Sequence, residues 1–439
     1  MLEQKYINGQ TAVNIARSIE GAVSSGKISP GEQLPAMRHL AARLGVNLAT
    51  VAAAYRILQQ RGITIAERRR GTRVRPNSPA APAPPPPPRG VCDLAGGNPD
   101  RELLPDLRRH LRGLRIGQRL YGRELNDREL VAVARSHFRG DGLPSGSIAI
   151  VSGALDGIER VLREQLRSGD RVIVEDPCFS GILDLVAALA LVPVPVAVDD
   201  EGMLPEALVR ALRSAPQAII VTPRAQNPTG AVMSRSRARR LRTILRQRPE
   251  MLLIEDDHAG RIAGAPYVTL VEPARQRYAV IRSVSKSLGP DLRVAMVTGD
   301  AETITTLERR QTIGIRWVSH VLQSLVVALS RDRAVRRQLA LAEKTYTARR
   351  RALLRTLAAH GIEAHGKSGL NVWIPVADES AVMQSLFQSG WAVHAGESYR
   401  INSGPAIRVT IAALSAADTR RFAADLARAL AMRGRTLAA

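Results

Sequence analysis

Residues 76–90 read PNSPAAPAPPPPPRG, and no other run limits the fold of this chain so strongly. Proline fixes φ and lacks an amide hydrogen, so the run can build neither helix nor sheet, and it favours extended polyproline II at about 3.1 Å per residue. The expected result is a semi-rigid linker of roughly 40 Å. The chain must then fold as separate units: a small module over 1–76, the linker over 77–90 and a large region over 91–439.

The 439 residues are 45% hydrophobic, enough to bury a full core in more than one domain. No stretch approaches the ~18 uninterrupted apolar residues of a membrane span, and MLEQKYINGQ lacks a signal-peptide core. A cytoplasmic protein with no membrane partner is expected. Cys92 and Cys178 allow at most one disulfide, and no Cys/His cluster has zinc spacing, so no metal is expected. The formal charge of +23 points to a polyanionic partner. It is locally concentrated, with 12 Lys/Arg against 4 Asp/Glu in residues 1–76.

In that module TAVNIARSIEGAVSSG puts Ile15, Ile19 and Val23 at helical spacing before Gly26. A second helix is predicted from Pro35 to Leu44, a tight turn at Gly45, and a third helix after Asn47 with Val51, Ala54, Tyr55 and Leu58 facing inward. This is helix-turn-helix spacing. The run ITIAE, the basic tip Arg68, Arg69, Arg70 and Gly71, and then TRVRP predict a two-stranded wing. The motifs PGEQLPAMRHLAARLGV, TVAAAY and RRRGTRV resemble the GntR family of winged-helix regulators across nearly the whole module. The resemblance implies double-stranded operator DNA as partner, approached by Arg38, Asn47, Leu48, Ala49, Thr50 and the wing. Leu48 stands where an arginine is common and cannot donate to guanine, so base reading shifts to Asn47, Thr50 and the wing, or affinity is modest.

After the linker, apolar runs (RVIVEDP, AIIVTP, MLLIEDD, YAVIRSVSK, VAMVTGD) alternate with helical patterns, which predicts a largely parallel sheet covered by helices. From about Ala334 onward a smaller, mostly helical α+β lobe is expected, with strands near NVWIPV and IRVTIA. Only five lysines occur against 58 arginines, and Lys286 follows an apolar run within SVSKSLGPDLR. Lysine can form a Schiff base once its site lowers its pKa, which arginine cannot. The neighbouring hydroxyls and Arg293 suit a phosphate beside that amine.

This segment resembles the SxSK motif of fold-type I aminotransferases that use pyridoxal 5'-phosphate (PLP), and the similarity covers roughly residues 90–435. The resemblance implies that Lys286 carries the internal aldimine while Ser283, Ser285 and Arg293 hold the phosphate. In MLLIEDDHAG it makes Asp256 the partner of the pyridine nitrogen, with Asp257 the alternative by one position. Asn227 in AQNPTG would bond the ring hydroxyl. Phe179 in EDPCFSG would stack on the ring, a core role being the other reading. Tyr121 in LYGRELND would reach the phosphate of a partner subunit, and Arg408 in AIRVTIAAL would clamp an effector carboxylate. Gly153 begins a helix whose Ala154 and Leu155 amides can cradle phosphate, although the polar side chains usual there are missing. His258 replaces the tyrosine expected beside the ring hydroxyl, and its charge is expected to titrate near neutral pH.

A GntR-like winged helix joined to a fold-type I domain resembles the MocR architecture, and VCDLAGGNPD, LDGIERVL, TPRAQNPTG and RWVSHVLQ are similar to its branch concerned with vitamin B6 salvage. The resemblance implies a homodimeric transcription regulator that senses PLP or an amino acid reacting with it. An active aminotransferase with an accessory DNA-binding module is the alternative.

Overall fold

The computed structural model describes residues 6–25, 27–29, 31–60, 63–67, 71–74, 87–114, 117, 119–144 and 146–436. The expected basic tip, Arg68 to Arg70, and all but the end of the 77–90 linker lie outside the described residues. The chain divides into two compact units.

The N-terminal unit holds helices α1 (Ala12–Ser24), α2 (Met37–Leu44) and α3 (Leu48–Gln60), then the antiparallel strands β1 (Thr64–Glu67) and β2 (Gly71–Val74). Thr11 caps α1 through Oγ1, which accepts from the Asn14 amide at 3.3 Å. Gly45 ends α2 in the left-handed region, at φ +64°, and turns the chain into α3. Ile15, Ile19, Leu40, Val51, Ala54 and Leu58 are buried together, and the Tyr55 hydroxyl donates to the Pro35 carbonyl at 2.7 Å. Val23, expected on that inner face, is only half-buried, and Ala22 takes the deeper position.

The large unit opens with β3 (Cys92–Asp93). Its main sheet contains β4 (Ser147–Val151), β5 (Arg171–Asp176), β6 (Val192–Asp199), β7 (Gly202–Met203), β8 (Ala218–Val221), β9 (Leu252–Asp257), β10 (Tyr278–Ser283) and β11 (Ala295–Gly299). Their spatial order is β4-β11-β10-β9-β8-β5-β6-β7. Strands β5, β8, β9 and β10 are mutually parallel, while β11 runs antiparallel to β10 and β4. Parallel strands covered on both faces read as continuous apolar runs, and every residue of β8, β9 and β10 is buried. The run SIAIV, which carries no turn signal of its own, is strand β4.

The helices of this unit are α4 (Leu107–Arg112), α5 (Arg128–Gly140), α6 (Ala154–Gln165), α7 (Ser180–Ala188), α8 (Pro205–Leu212), α9 (Arg235–Leu245), α10 (Ser285–Leu288), α11 (Ala301–Ile313) and α12 (His320–Arg331). Of these, α5, α6 and α11 pack on the β4-β11-β10 half of the sheet. A long helix, α13 (Arg333–Ala359), leads into a lobe made of β12 (Asn371–Pro375), α14 (Glu379–Gln388), β13 (Trp391–Ala392), β14 (His394–Ala395), β15 (Ala406–Thr410) and α15 (Ala416–Thr436). Strands β12, β15 and β14 form an antiparallel sheet, and β13 pairs in parallel with β3. Among the described residues no helix is long and apolar enough to cross a membrane.

Because β4 runs in the same direction as β5, β8, β9 and β10, the carboxyl ends of all five open on one edge of the sheet. Ligands of open α/β sheets bind at that edge.

Candidate cofactor and nucleic-acid sites

Five chain segments meet this edge: 152–155 after β4, 176–179 after β5, 222–227 after β8, 256–258 at the end of β9 and 283–286 after β10. Asp256 and Asp257 are consecutive in β9 and therefore face opposite sides of the sheet. Asp257 accepts from Arg224 Nε and Nη2, both at 2.9 Å, and from Arg282 Nε at 2.6 Å. Burial alone would raise this carboxyl, but Arg282 and Arg224 outweigh it and hold it far below the ordinary range. Asp256 is equally enclosed, yet its Oδ1 has no hydrogen-bond partner among the described residues. Burial, helped by the charge of Asp257, pushes its carboxyl up to about 7. A buried acceptor lacking a donor fits a ring N–H, so the geometry favours Asp256 over Asp257 for the pyridine nitrogen.

Lys286 donates from Nζ to the Gly97 carbonyl at 2.6 Å. Burial first, and the nearby Arg408 second, bring its amine down to about 8. Ser283 Oγ lies 3.0 Å from Ser285 Oγ and also accepts the Ser285 amide at 3.1 Å. Arg293 adopts φ +45° and donates to the Ser152 carbonyl at 3.3 Å, directly over Gly153. A Cβ on Gly153 would sit 2.9 Å from that guanidinium, and φ there is +104°, so glycine is required. The start of α6, with Ala154 and Leu155, thus shares one corner with Arg293, which is the arrangement a phosphate needs. Asp156 Oδ2 accepts the Ser152 amide at 2.9 Å, one residue before Gly153.

His258 donates from Nε2 to the Ala225 carbonyl at 2.8 Å. Burial and then the charge of Lys286 pull it down to about 4. The expected titration near neutral pH is therefore corrected: the imidazole stays neutral there, because an enclosed ring beside an ammonium resists a second charge.

Asn227 Oδ1 accepts from Asn371 Nδ2 at 3.1 Å and from Arg408 Nη1 at 3.3 Å. Arg408 is buried, with its guanidinium 5.0 Å from the Tyr399 ring centre, and it also donates to the Ala95 carbonyl. Its register places it between Trp373 and His394 on the small-lobe sheet. Phe179 packs against the cluster of Trp373, Tyr399 and Ala406 and sits beside Leu155 across Gly181. Tyr121 does not join the site within one chain: it is 76% exposed, edge-on to Trp317 at 5.5 Å and beneath Arg316. Ala95, Gly97, Arg224, Arg282 and Asn371 were missed in sequence; AGGNPD and TPRAQNPTG carried the only signals for the first three.

In the N-terminal unit, Arg38, Asn47, Leu48 and Ala49 are exposed and Thr50 is half-buried. Asn47 Oδ1 caps α3 by accepting the Ala49 amide at 2.9 Å, so only its amide group is left for a base edge.

Comparison with known families bears on both units. Residues 129–426 match the family Aminotransferase class I and II, and residues 11–74 match Bacterial regulatory proteins, gntR family. The vitamin B6 salvage pathway transcriptional repressor PtsJ of Salmonella typhimurium is 40% identical over 427 residues, covering 97% of this chain and 99% of its own. The uncharacterized HTH-type transcriptional regulator YdcR of Escherichia coli is 28% identical, covering 83% and 86%. Among solved structures, LysN of Thermus thermophilus, an alpha-aminoadipate aminotransferase, aligns with TM-score 0.68 and 22% identity over 78% of this chain and 93% of that one. PLP is the cofactor of this class I and II domain, and the residues at the sheet edge suit it. The chain belongs to the gntR-family transcriptional regulators that join a DNA-binding winged helix to an aminotransferase-like PLP domain, the MocR type.

Proposed function

We propose that this protein is a cytoplasmic homodimer that controls vitamin B6 salvage genes in response to PLP, or to an amino compound that reacts at Lys286. The observation carrying the reading is that likeness to the Salmonella repressor runs through both units at 40% identity and nearly full length. A dimeric reader fits operator half-sites one helical turn apart or multiples of it. Tyr121, exposed in one chain, is assigned to the phosphate of the partner's site.

In this reading Asp256 holds the proton of the ring nitrogen, Asn227 bonds the ring hydroxyl through its amide and Phe179 covers one ring face. Ser283, Ser285, Arg293 and the amides of Ala154 and Leu155 hold the phosphate. His258, neutral and tied to the Ala225 carbonyl, fixes the wall beside the ring. PLP, when bound, supplies an aldehyde for the Lys286 amine and an electron-withdrawing ring. Lys286 and Arg408 both spend donors on carbonyls of residues 95–97. An effector carboxylate that takes both Nε, which has no partner among the described residues, and Nη2 of Arg408 would compete with the Ala95 carbonyl, and its binding would then change the segment that follows the linker. Linkage then makes effector and DNA affinities change each other by the same factor.

The test is an absorbance titration with PLP on the parent and Lys286→Ala, with binding to the gene's own upstream DNA followed in the same samples. A visible band in the parent only, together with a shift in DNA affinity, supports the regulator reading. A band bleached with turnover by amino acids, with DNA affinity unmoved, supports the aminotransferase alternative, for which Lys286, Asp256, Asn227 and Arg408 would suffice.

A further inference from the structure

Residues 1–76 account for +8 of the chain's +23, which leaves +15 on the remainder. Much of that excess lies on one helix. In α13 eight of 27 residues are Lys or Arg, and Glu343 is its sole acid. Arg333, Arg337, Lys344, Arg351 and Arg355 are all exposed, at spacings of 4, 7, 7 and 4 residues. At 100° per residue those positions fall within an arc of about 40°, a single narrow ridge. Tyr346, Arg350, Leu353 and Leu357 are buried on the opposite face, which fixes the outward direction of the ridge.

None of the five cations makes an ion pair among the described residues. On α9, another basic helix, two of five arginines pair, Arg237 with Asp199 and Arg240 with Glu206, and on α13 itself Arg349, off the ridge, pairs with Asp100. Arg333 and Arg337, like Arg351 and Arg355, stand at i,i+4 with the same sign, which weakens a helix. Arginine-rich composition does not explain why this face lacks carboxylates. One of only five lysines in the chain, Lys344, also falls on it.

From Arg333 to Arg355 the ridge is about 33 Å long, close to one turn of duplex DNA at about 34 Å. Laid along a duplex axis, a straight ridge of that length crosses the phosphates of both strands. We propose that α13 is a second, sequence-independent docking surface for duplex DNA, engaging phosphates that flank the operator read by the winged helix. This rests on the assignment of the protein as a DNA-binding regulator. The side chains can contact phosphates without reading bases, so the ridge adds affinity and salt dependence but no sequence preference.

The experiment uses the full-length, PLP-loaded protein and a variant with Arg333, Arg337, Lys344, Arg351 and Arg355 all changed to Gln, which keeps helix propensity. Binding is measured by anisotropy on the footprinted upstream segment alone and on the same segment extended by random sequence, over a range of salt. The expected result is that both proteins bind the short duplex alike, while only the parent gains from the extension. On the long duplex the variant should lose roughly 0.9 of salt slope per phosphate contact removed, and tenfold or more in affinity at low salt. Equal behaviour of parent and variant on the long duplex would overturn the proposal. So would a change in particle mass on substitution, which would make the ridge a contact between copies. Failure of the parent on the short duplex would instead sink the regulator assignment itself.

Discussion

The amine of Lys286 lies 2.6 Å from the carbonyl oxygen of Gly97, a residue 189 positions away that follows the proline run in sequence. Arg408 is bound in the same way to Ala95, two residues earlier. The amine and the guanidinium are close enough for one to depress the other's proton affinity, and both are held by one short segment of backbone.

The first consequence is a pH profile. Burial, and then Arg408, bring Lys286 down to about 8, so roughly a tenth of the amine is neutral at pH 7. The rate of PLP capture, followed by stopped-flow absorbance, should rise with pH and level off above a midpoint near 8. Arg408→Gln removes the neighbouring cation and should move that midpoint upward, though not to the value of a free lysine, because burial remains. A midpoint that stays put or falls would show that Arg408 does not act on the amine.

Asp256 gives a prediction with two opposite signs. Its folded pKa is raised to about 7, so the folded chain keeps a proton that the unfolded chain loses from about pH 4 upward. The contribution of Asp256 to the stability of the cofactor-free protein should therefore fall as pH rises from about 4 to 7, by on the order of a few kcal/mol, read as the difference between parent and Asp256→Asn. Asp256→Asn cannot ionise and should melt higher than the parent at pH 8 without cofactor. With PLP the order should reverse, since the asparagine gives the ring nitrogen no charged partner. Thermal melts at pH 5 and pH 8, with and without PLP, decide both points.

Asp257 should behave differently although it is the next residue. It joins β9 to Arg224 beyond β8 and to Arg282 in β10, the strand ends that carry Asp256, Asn227 and Ser283. Asp257→Ala leaves those buried guanidiniums without this partner, a change worth about 3–5 kcal/mol. Without cofactor, its urea midpoint should drop at every pH above about 4, whereas the Asp256→Asn midpoint should drop at none above about 7. Similar losses in both variants would mean that the two carboxylates are not divided between cofactor and scaffold.

Strands β5, β8, β9, β10 and β11 were legible because each is an apolar run ended by a turn signal, whereas β4, β6 and β7 were not read from the sequence. Asp256 and Asp257 could not be separated that way: both are acidic, both end β9, and only their partners across the sheet distinguish them. His258 differs from expectation for a related reason, since its depressed pKa comes first from burial and then from Lys286, which lies 28 positions along the chain. The carbonyls of Ala95 and Gly97 carry no side-chain signature at all. Backbone acceptors become visible only when a fold delivers two donors to them.

The last prediction concerns DNA. Leu48 is the first residue of α3 and is 43% exposed, an apolar side chain at the position where a recognition helix meets a groove. Its neighbour Asn47 has committed its acceptor Oδ1 to the Ala49 amide, which leaves Nδ2 as the group it can offer a base. Leu48→Arg should therefore tighten binding to the upstream segment by on the order of 1–2 kcal/mol, about tenfold, at moderate salt. If the new guanidinium meets a phosphate, the salt slope should steepen by about 0.9 and all sequences should gain. If it meets guanine, the gain should be confined to sites with guanine at one fixed position. Anisotropy on a small panel of duplexes separates the two cases. Unchanged affinity on every duplex would mean that the start of α3 does not enter the groove, and that Arg38 and the wing carry recognition instead.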